Sequence, residues 1–148
     1  MARILVADDD RAVRAMISLL LSTKAHEVVE AANGRESLAK IASENFDLLI
    51  VDVFMPDMDG IETIKRVLNR NPALPIIVIS GMSFRSALGS AAPPDFLAMA
   101  TRLGAVQSLQ KPFRPKELLT AVDDCLNNKT ADEPIGKYDQ ANGFKNSA

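Results

Sequence analysis

The segment that most constrains the fold is Asp47 to Gly60, with the sequence DLLIVDVFMPDMDG. It opens with an apolar run, Leu48 to Val53, and a run of branched residues bounded by turn signals is typical of a strand buried on both faces. Pro56 and Gly60 end the extended segment. The run contains one carboxylate, Asp52, near its C-terminal end. Burying a carboxylate costs free energy unless the group is paired or has a function. Asp52 is therefore either a functional residue, or an acid that caps a helix or lies in a loop.

Five predicted strands, of which the second is weak, alternate with five amphipathic segments along the chain. Apolar residues at helical spacing predict helices, and the alternation predicts an α/β fold, in which helices cover both faces of a parallel sheet through right-handed crossovers. The predicted strands are Arg3 to Ala7, Glu27 to Ala31, Leu48 to Val53, Pro75 to Ser80 and Ala105 to Gln110. The predicted helices cover Val13 to Leu21, Glu36 to Ala42, Gly60 to Leu68, Asp95 to Leu103 and Pro115 to Leu126.

Polar side chains stand at the C-terminal ends of four of the five predicted strands. Sites in open α/β sheets form beyond the carboxyl ends of the strands, where the strand order reverses. We therefore expect these side chains to form one site. The residues are Asp8, Asp9, Asp52, Ser80 and Lys111.

Such a set of residues favours phosphoryl transfer. Converging carboxylates cannot all stay ionised unpaired, and Mg²⁺ binds open clusters of carboxylates together with waters and a phosphate. Lys111 would attract a phosphoryl oxygen, and Ser80 supplies a hydroxyl donor. An aspartate can accept a phosphoryl group as an acyl phosphate, while the metal and the lysine neutralise charge on the transferring group.

These residues resemble the receiver domains of two-component response regulators. The matching motifs are ILVADDD at the first strand, DVFMPDMDG after the third, Ser80 ending the fourth and Lys111-Pro112-Phe113 after the fifth. The resemblance covers about residues 2 to 128. It implies a flavodoxin-like, doubly wound fold whose five-stranded parallel sheet has the order 2-1-3-4-5.

The resemblance also implies a role for each acidic position. Asp52 corresponds to the phosphoacceptor. Asp9 and Asp52 would bind Mg²⁺ directly, together with the backbone carbonyl of Phe54, and Asp8 would act through a bound water. Asp10 falls at a variable position, and we expect it only to begin the first helix.

Ser80 and Lys111 correspond to positions that contact the phosphoryl group in the family, and Ser80 and Ser108 correspond to its switching positions. Ser80 would hydrogen-bond the phosphoryl group, and Lys111 would contact one of its oxygens. The peptide bond before Pro112 is cis in the family. The family usually has Tyr or Phe three residues before the lysine, where this chain has Ser108, so coupling from Ser80 would follow another route or be weak.

The domain organisation departs from the usual pattern after the fourth strand. An inserted loop at 82–94 separates Ser80 from Lys111, and it is either a tolerated surface loop or a partner-specific segment. We expect one receiver domain at 1–128 and a flexible tail at 129–148, with no output domain. The expected protein is therefore a stand-alone regulator.

Composition limits the partners and the compartment. The net charge is −2 and no strong basic stripe is present, which argues against DNA binding. The apolar runs are too short to span a bilayer. A single cysteine, among 148 residues, fits a reducing compartment, and we expect a cytoplasmic protein.

The expected function is signalling and not enzymatic turnover beyond self-phosphorylation and self-dephosphorylation. A histidine kinase or histidine phosphotransfer protein would supply the phosphoryl group. The output would be an altered protein contact or onward transfer, from a monomer or a phosphorylation-dependent dimer. Three alternatives remain open: a degenerate receiver that binds partners without phosphorylation, an aspartyl-phosphate phosphatase, and a flavodoxin-like cofactor binder. Phe54, where such phosphatases have a second aspartate, argues against the second, and the three aspartates after the first strand argue against the third.

Overall fold

A parallel sheet forms the centre of the fold in the computed structural model, which describes residues 1–53, 55, 60–81 and 107–131. All strand pairs are parallel, and the order β2-β1-β3-β4-β5 agrees with the expected one. The strands are β1 Arg3–Ala7, β2 Glu27–Ala31, β3 Leu48–Asp52, β4 Ile76–Gly81 and β5 Gln107–Lys111. The helices are α1 Arg11–Ser22, α2 Gly34–Ser43, α3 Gly60–Arg70 and a C-terminal helix Pro115–Ala131.

Alternation along the strands divides the apolar core into two layers, because successive side chains of a strand point to opposite faces. Every residue of β3 is buried, as expected for a central strand with helices on both sides. One layer packs β-strand residues against α2 and α3, and includes Leu49, Val51, Ile64 and Val67. The other packs them against α1 and the C-terminal helix, and includes Leu48, Ile50, Ile17 and Leu118.

Several element boundaries differ from the predicted ones by one or two residues. The second helix begins at Gly34 because the Asn33 side chain caps it, accepting from the Glu36 N–H at 2.9 Å. Lys111 was predicted to follow the fifth strand but is its last residue, because it still pairs in register with Gly81. The third strand ends at Asp52, one residue earlier than predicted.

Other predictions fall outside the described residues. They are the inserted loop at 82–94, the helix at 95–103, the role of Phe54, and most of the tail at 129–148. The C-terminal helix continues to Ala131, beyond the predicted end of the domain at residue 128. In the described part of the chain, no helix combines the length and apolar character needed to cross a membrane.

His26 lies at the edge of the sheet opposite the strand ends that carry the acids. Its Nδ1 accepts a hydrogen bond from the Ala2 N–H at 3.0 Å, so the ring ties the chain before β1 to the chain before β2. Burial lowers the pKa of His26, as does the charge of the N-terminal amine, while Asp123 opposes the shift. His26 is therefore a partly buried residue with a structural contact.

The lowered pKa of His26 predicts a pH-dependent stability. The unfolded-state pKa is about 6.5 and the folded-state pKa is lower, so as the pH falls the unfolded chain binds the proton first. The stability contributed by His26 is full above pH 6.5 and is lost as the pH falls through the folded-state pKa. In thermal melts across this range, the midpoint of His26→Gln should fall less steeply with decreasing pH than that of wild type. Parallel curves for the two proteins would contradict this account.

Candidate functional site

The sheet register brings the carboxylates of two neighbouring strands to one edge. Ala7 of β1 pairs with Val51 of β3, so Asp8 and Asp52 each follow directly after a paired position. Both strands run in the same direction, and their carboxyl ends meet at the same edge of the sheet. Asp52 and Asp8 therefore lie side by side, as the sequence predicted.

Three aspartates form an acidic cluster at this edge. Asp8, Asp9 and Asp52 each offer a carboxylate oxygen, and these oxygens lie within 4.8 Å of one another. Asp8 is fully buried and Asp52 is 5% exposed, whereas Asp9 is exposed. A hard divalent cation with oxygen ligands and remaining waters suits an open cluster of this kind, so the donor set fits Mg²⁺.

Lys111 brings a positive charge into the acidic cluster. Its Nζ lies 2.8 Å from Asp8 Oδ2 and 3.0 Å from Asp52 Oδ2. Burial lowers the pKa of Lys111, but the hydrogen bond with Asp8 and the charge of Asp52 outweigh burial and raise the pKa above its usual value. The ammonium is therefore charged at neutral pH. The Lys111–Pro112 bond is cis, as the resemblance implied.

Ser80 lies near the end of β4, between the strands that carry Asp52 and Lys111. It is 3% exposed, and within the described ranges no hydrogen-bond partner reaches its Oγ. Buried hydroxyls are normally hydrogen-bonded, so this one is available to a group that enters the site. Ser108 lies on the neighbouring β5, paired with Val78, and is exposed. Its predicted part in switching stays a prediction.

The backbone of Asp8 is held by contacts that sequence reasoning missed. Its N–H donates to the Ala31 carbonyl at 3.1 Å, and its own carbonyl accepts from Arg14 Nη1 at 2.7 Å. Its Oδ1 accepts from the Asp10 N–H at 2.8 Å. Nothing in the sequence distinguishes Arg14 from other helix-surface arginines. Asp10 itself caps α1, its side chain accepting from the Ala12 N–H at 2.9 Å, which confirms the expectation for Asp10.

Gly60 fixes the start of α3 against the end of β3. Its N–H donates to the Val53 carbonyl at 2.9 Å. A Cβ on Gly60 would come within 2.3 Å of the Val53 Cα and 2.4 Å of the Asp52 carbonyl oxygen. The sequence identified Gly60 as a turn residue and as the start of the third helix, but not this close approach, which follows from the tertiary packing of α3 on the strand that carries Asp52.

The arrangement suits transfer of an anionic group to a carboxylate. Asp52 is a carboxylate at the sheet edge whose negative charge is offset by Lys111 at 3.0 Å. The buried Ser80 hydroxyl adds a donor, and Asp8 and Asp9 complete a set of oxygen ligands. Positioning and charge neutralisation are the main contributions that proteins make to phosphoryl transfer.

Comparisons with known proteins point to one family. The family model described as the response regulator receiver domain matches residues 4–123. The DNA-binding transcriptional regulator NtrC of Azospirillum brasilense is 40% identical over 129 residues, covering 87% of this chain and 25% of that protein. The chemotaxis protein CheY of Thermotoga maritima is 33% identical over 122 residues, covering 82% of this chain and 94% of that protein.

Solved structures give the same result for the fold. A CheY-like response regulator receiver domain protein from Methanospirillum hungatei superposes with a TM-score of 0.79 at 29% identity, covering 89% of this chain and 98% of that one. The chain spans about half or less of the length of several curated relatives that it matches, with shares of 25%, 54% and 37% for three of them.

Proposed function

Because this chain belongs to the receiver-domain family of response regulators, we propose that it accepts a phosphoryl group on Asp52 in a Mg²⁺-dependent reaction. The observation that carries the proposal is the bridge made by Lys111, whose Nζ lies within 3.0 Å of carboxylate oxygens on both Asp8 and Asp52. This bridge supplies a cation beside Asp52, a carboxylate that ends a buried strand and is 5% exposed.

Each residue of the acidic cluster has a role in the proposed reaction. Asp9 and Asp52, with the carbonyl of Phe54, would hold Mg²⁺ directly, and Asp8 would act through a bound water. When bound, the ion would supply positive charge beside the transferring group. An Asp52 oxygen forms the new bond to phosphorus while the phosphorus–nitrogen bond of a phosphohistidine breaks, and the electron pair leaves with the imidazole nitrogen. The product is an acyl phosphate on Asp52.

Lys111 and Ser80 would bind the transferred group. A phosphoryl oxygen takes the place of the Asp52 oxygen as a partner of the Lys111 ammonium, while Asp8 keeps its contact with Nζ. The Ser80 hydroxyl donates to a second phosphoryl oxygen, which satisfies a buried group that has no hydrogen-bond partner among the described residues.

The proposed donor is a histidine kinase or a histidine phosphotransfer protein, and the proposed output is an altered protein contact or onward transfer of the phosphoryl group. The chain would act as a phosphoacceptor and not as an enzyme that turns over other substrates, as a monomer or a phosphorylation-dependent dimer. A net charge of −2 and a single cysteine support a cytoplasmic setting without DNA contact by these residues.

Intact mass spectrometry tests the proposal. After incubation with Mg²⁺ and acetyl phosphate, wild type should gain one phosphoryl group, and this gain should be lost in Asp52→Asn and in EDTA. Asp10→Asn is the matched control, because Asp10 is an adjacent acid that caps α1 and asparagine caps helices equally well. This control should gain the group as wild type does.

Two results of this experiment would contradict the proposal. If folded wild-type protein gains no mass, the result contradicts the proposal and favours a binding module that works without phosphorylation. If Asp52→Asn gains the group as readily as wild type, Asp52 is not the acceptor.

A further inference from the structure

Three side chains, linked in series by hydrogen bonds, connect the protein surface beside β2 to the backbone of Asp8. Arg14 donates from Nη1 to the Asp8 carbonyl at 2.7 Å and from Nε to Glu30 Oε1 at 3.1 Å. Glu30 in turn accepts from Ser18 Oγ at 2.9 Å. The Arg14 side chain is 14% exposed, so its guanidinium is held between α1 and β2 and does not extend into solvent.

We infer that Arg14 is a positioning residue that fixes the Asp8–Asp9 peptide group and thereby directs Asp9 toward the metal-binding cluster. The inference rests on the proposed function. The Asp8 carbonyl and the N–H and Cα of Asp9 share one rigid plane. A charge-assisted hydrogen bond to the carbonyl therefore fixes the direction in which the chain leaves β1.

The orientation of the Asp9 carboxylate depends on the backbone of Asp9, because its side chain has no other contact that would hold it among the described residues. No hydrogen bond or ion pair joins the Asp9 carboxylate to another residue in the part of the chain that the structure describes. Asp8, in contrast, is held at its N–H by Ala31 and at its carboxylate by Asp10 and Lys111. The Asp8 carbonyl is the remaining polar group of this residue, and Arg14 is the residue that binds it.

The geometry also accounts for arginine at this position. Arg14 uses two different nitrogens of its guanidinium for two acceptors, the Asp8 carbonyl and the Glu30 carboxylate. A planar guanidinium presents these donors in a fixed arrangement, whereas a lysine ammonium is a point charge on a flexible stem. Glu30 therefore orients the guanidinium, and Ser18 orients Glu30.

Magnesium titration by calorimetry tests this role apart from phosphorylation. Arg14→Gln should raise the Mg²⁺ dissociation constant about tenfold, the lower end of the effect usual for residues that orient metal ligands. Arg14→Lys should give an intermediate value. Glu30→Gln should weaken binding in the same direction but less, and the double variant should be no weaker than Arg14→Gln, because Glu30 acts through Arg14.

Arg66→Gln is the matched control. Arg66 makes the same kind of ion pair, from Nε to Glu62 Oε2 at 2.9 Å, on the exposed part of α3. It should leave the Mg²⁺ dissociation constant unchanged. Thermal melts of every variant in EDTA separate a loss of overall stability from a loss of metal affinity.

Two results would overturn the inference. In one, Arg14→Gln binds Mg²⁺ as tightly as wild type, even if its melting temperature falls, which would make Arg14 a structural residue only. In the other, wild type itself binds no Mg²⁺ in the titration. Wild type that binds Mg²⁺ but gains no phosphoryl group would instead overturn the proposed function and leave the role of Arg14 supported or refuted by the titration alone.

Discussion

Lys111→Met is expected to slow phosphoryl uptake on Asp52 by about 100-fold or more, the usual cost of removing one positioned donor to a developing negative charge. The ammonium lies 2.8 Å from Asp8 Oδ2 and 3.0 Å from Asp52 Oδ2, so it is positioned beside both carboxylates. The rate should be followed by intact mass at saturating Mg²⁺.

The same substitution is expected to lower the free energy of unfolding in EDTA by about 1–3 kcal/mol. Breaking a buried ion pair costs about 3–5 kcal/mol, and the Lys111 side chain is 23% exposed, so solvent reduces the effect. Mg²⁺ should return part of the lost stability, because a bound cation offsets the charges of Asp8 and Asp52.

The pH dependence of this difference follows from the raised pKa of Lys111. The stability that Lys111 contributes is full below its unfolded-state pKa of 10.5 and declines only as the pH rises through the higher folded-state value. Urea unfolding at pH 7 and pH 9 should therefore give the same difference in unfolding free energy between wild type and Lys111→Met.

Lys65→Met, at an exposed position on α3, is the control and should change the free energy of unfolding by less than about 0.5 kcal/mol. Equal stability and equal phosphorylation rates for Lys111→Met and wild type would contradict the role of the bridge.

Gly60→Ala is expected to lower the free energy of unfolding by about 3 kcal/mol, at the upper end of the cost of overpacking. The added methyl group would lie 2.3 Å from the Val53 Cα and 2.4 Å from the Asp52 carbonyl oxygen. Both neighbours are backbone atoms, which cannot rotate away as a side chain does.

The displacement should also reach the site, because Asp52 and Val53 are the residues that the methyl group would push. We expect slower phosphoryl uptake in Gly60→Ala even under conditions where the protein is fully folded. Asn69→Ala, at an exposed position of the same helix, should change neither stability nor uptake appreciably. A Gly60→Ala protein as stable as wild type would show that α3 can shift without a cost in free energy. That result would contradict the role of Gly60 in fixing the end of β3.

The fold followed from the sequence because buried parallel strands have a strong local pattern. The unbroken apolar run of β3 and the helical spacing in α1 carry their structure in their own residues, and the parallel arrangement then places Asp8, Asp52 and Lys111 at one edge. Asp8 and Asp52 could be identified because each is a polar exception at the end of an apolar run, and Lys111 because it stands at the end of the last predicted strand.

The remaining contacts depend on tertiary packing, and the sequence offers no local signal for them. Arg14 reaches the Asp8 carbonyl because α1 packs beside β2, and its position on an amphipathic helix resembles that of any solvated arginine. Gly60 has its role because α3 approaches the backbone of β3 more closely than a side chain allows. Lys111 belongs to β5 through its pairing with Gly81, although Pro112 suggested an earlier end to the strand.

Locating the phosphoryl group on the chain tests the central claim most directly. Wild type would be treated with Mg²⁺ and acetyl phosphate, reduced with borohydride to convert an aspartyl phosphate to homoserine, digested and sequenced by tandem mass spectrometry. We predict homoserine at position 52 and aspartate at positions 8, 9 and 10. Homoserine at Asp8 or Asp9 instead, or no conversion in protein that has gained a phosphoryl group, would contradict the assignment of Asp52 as the acceptor.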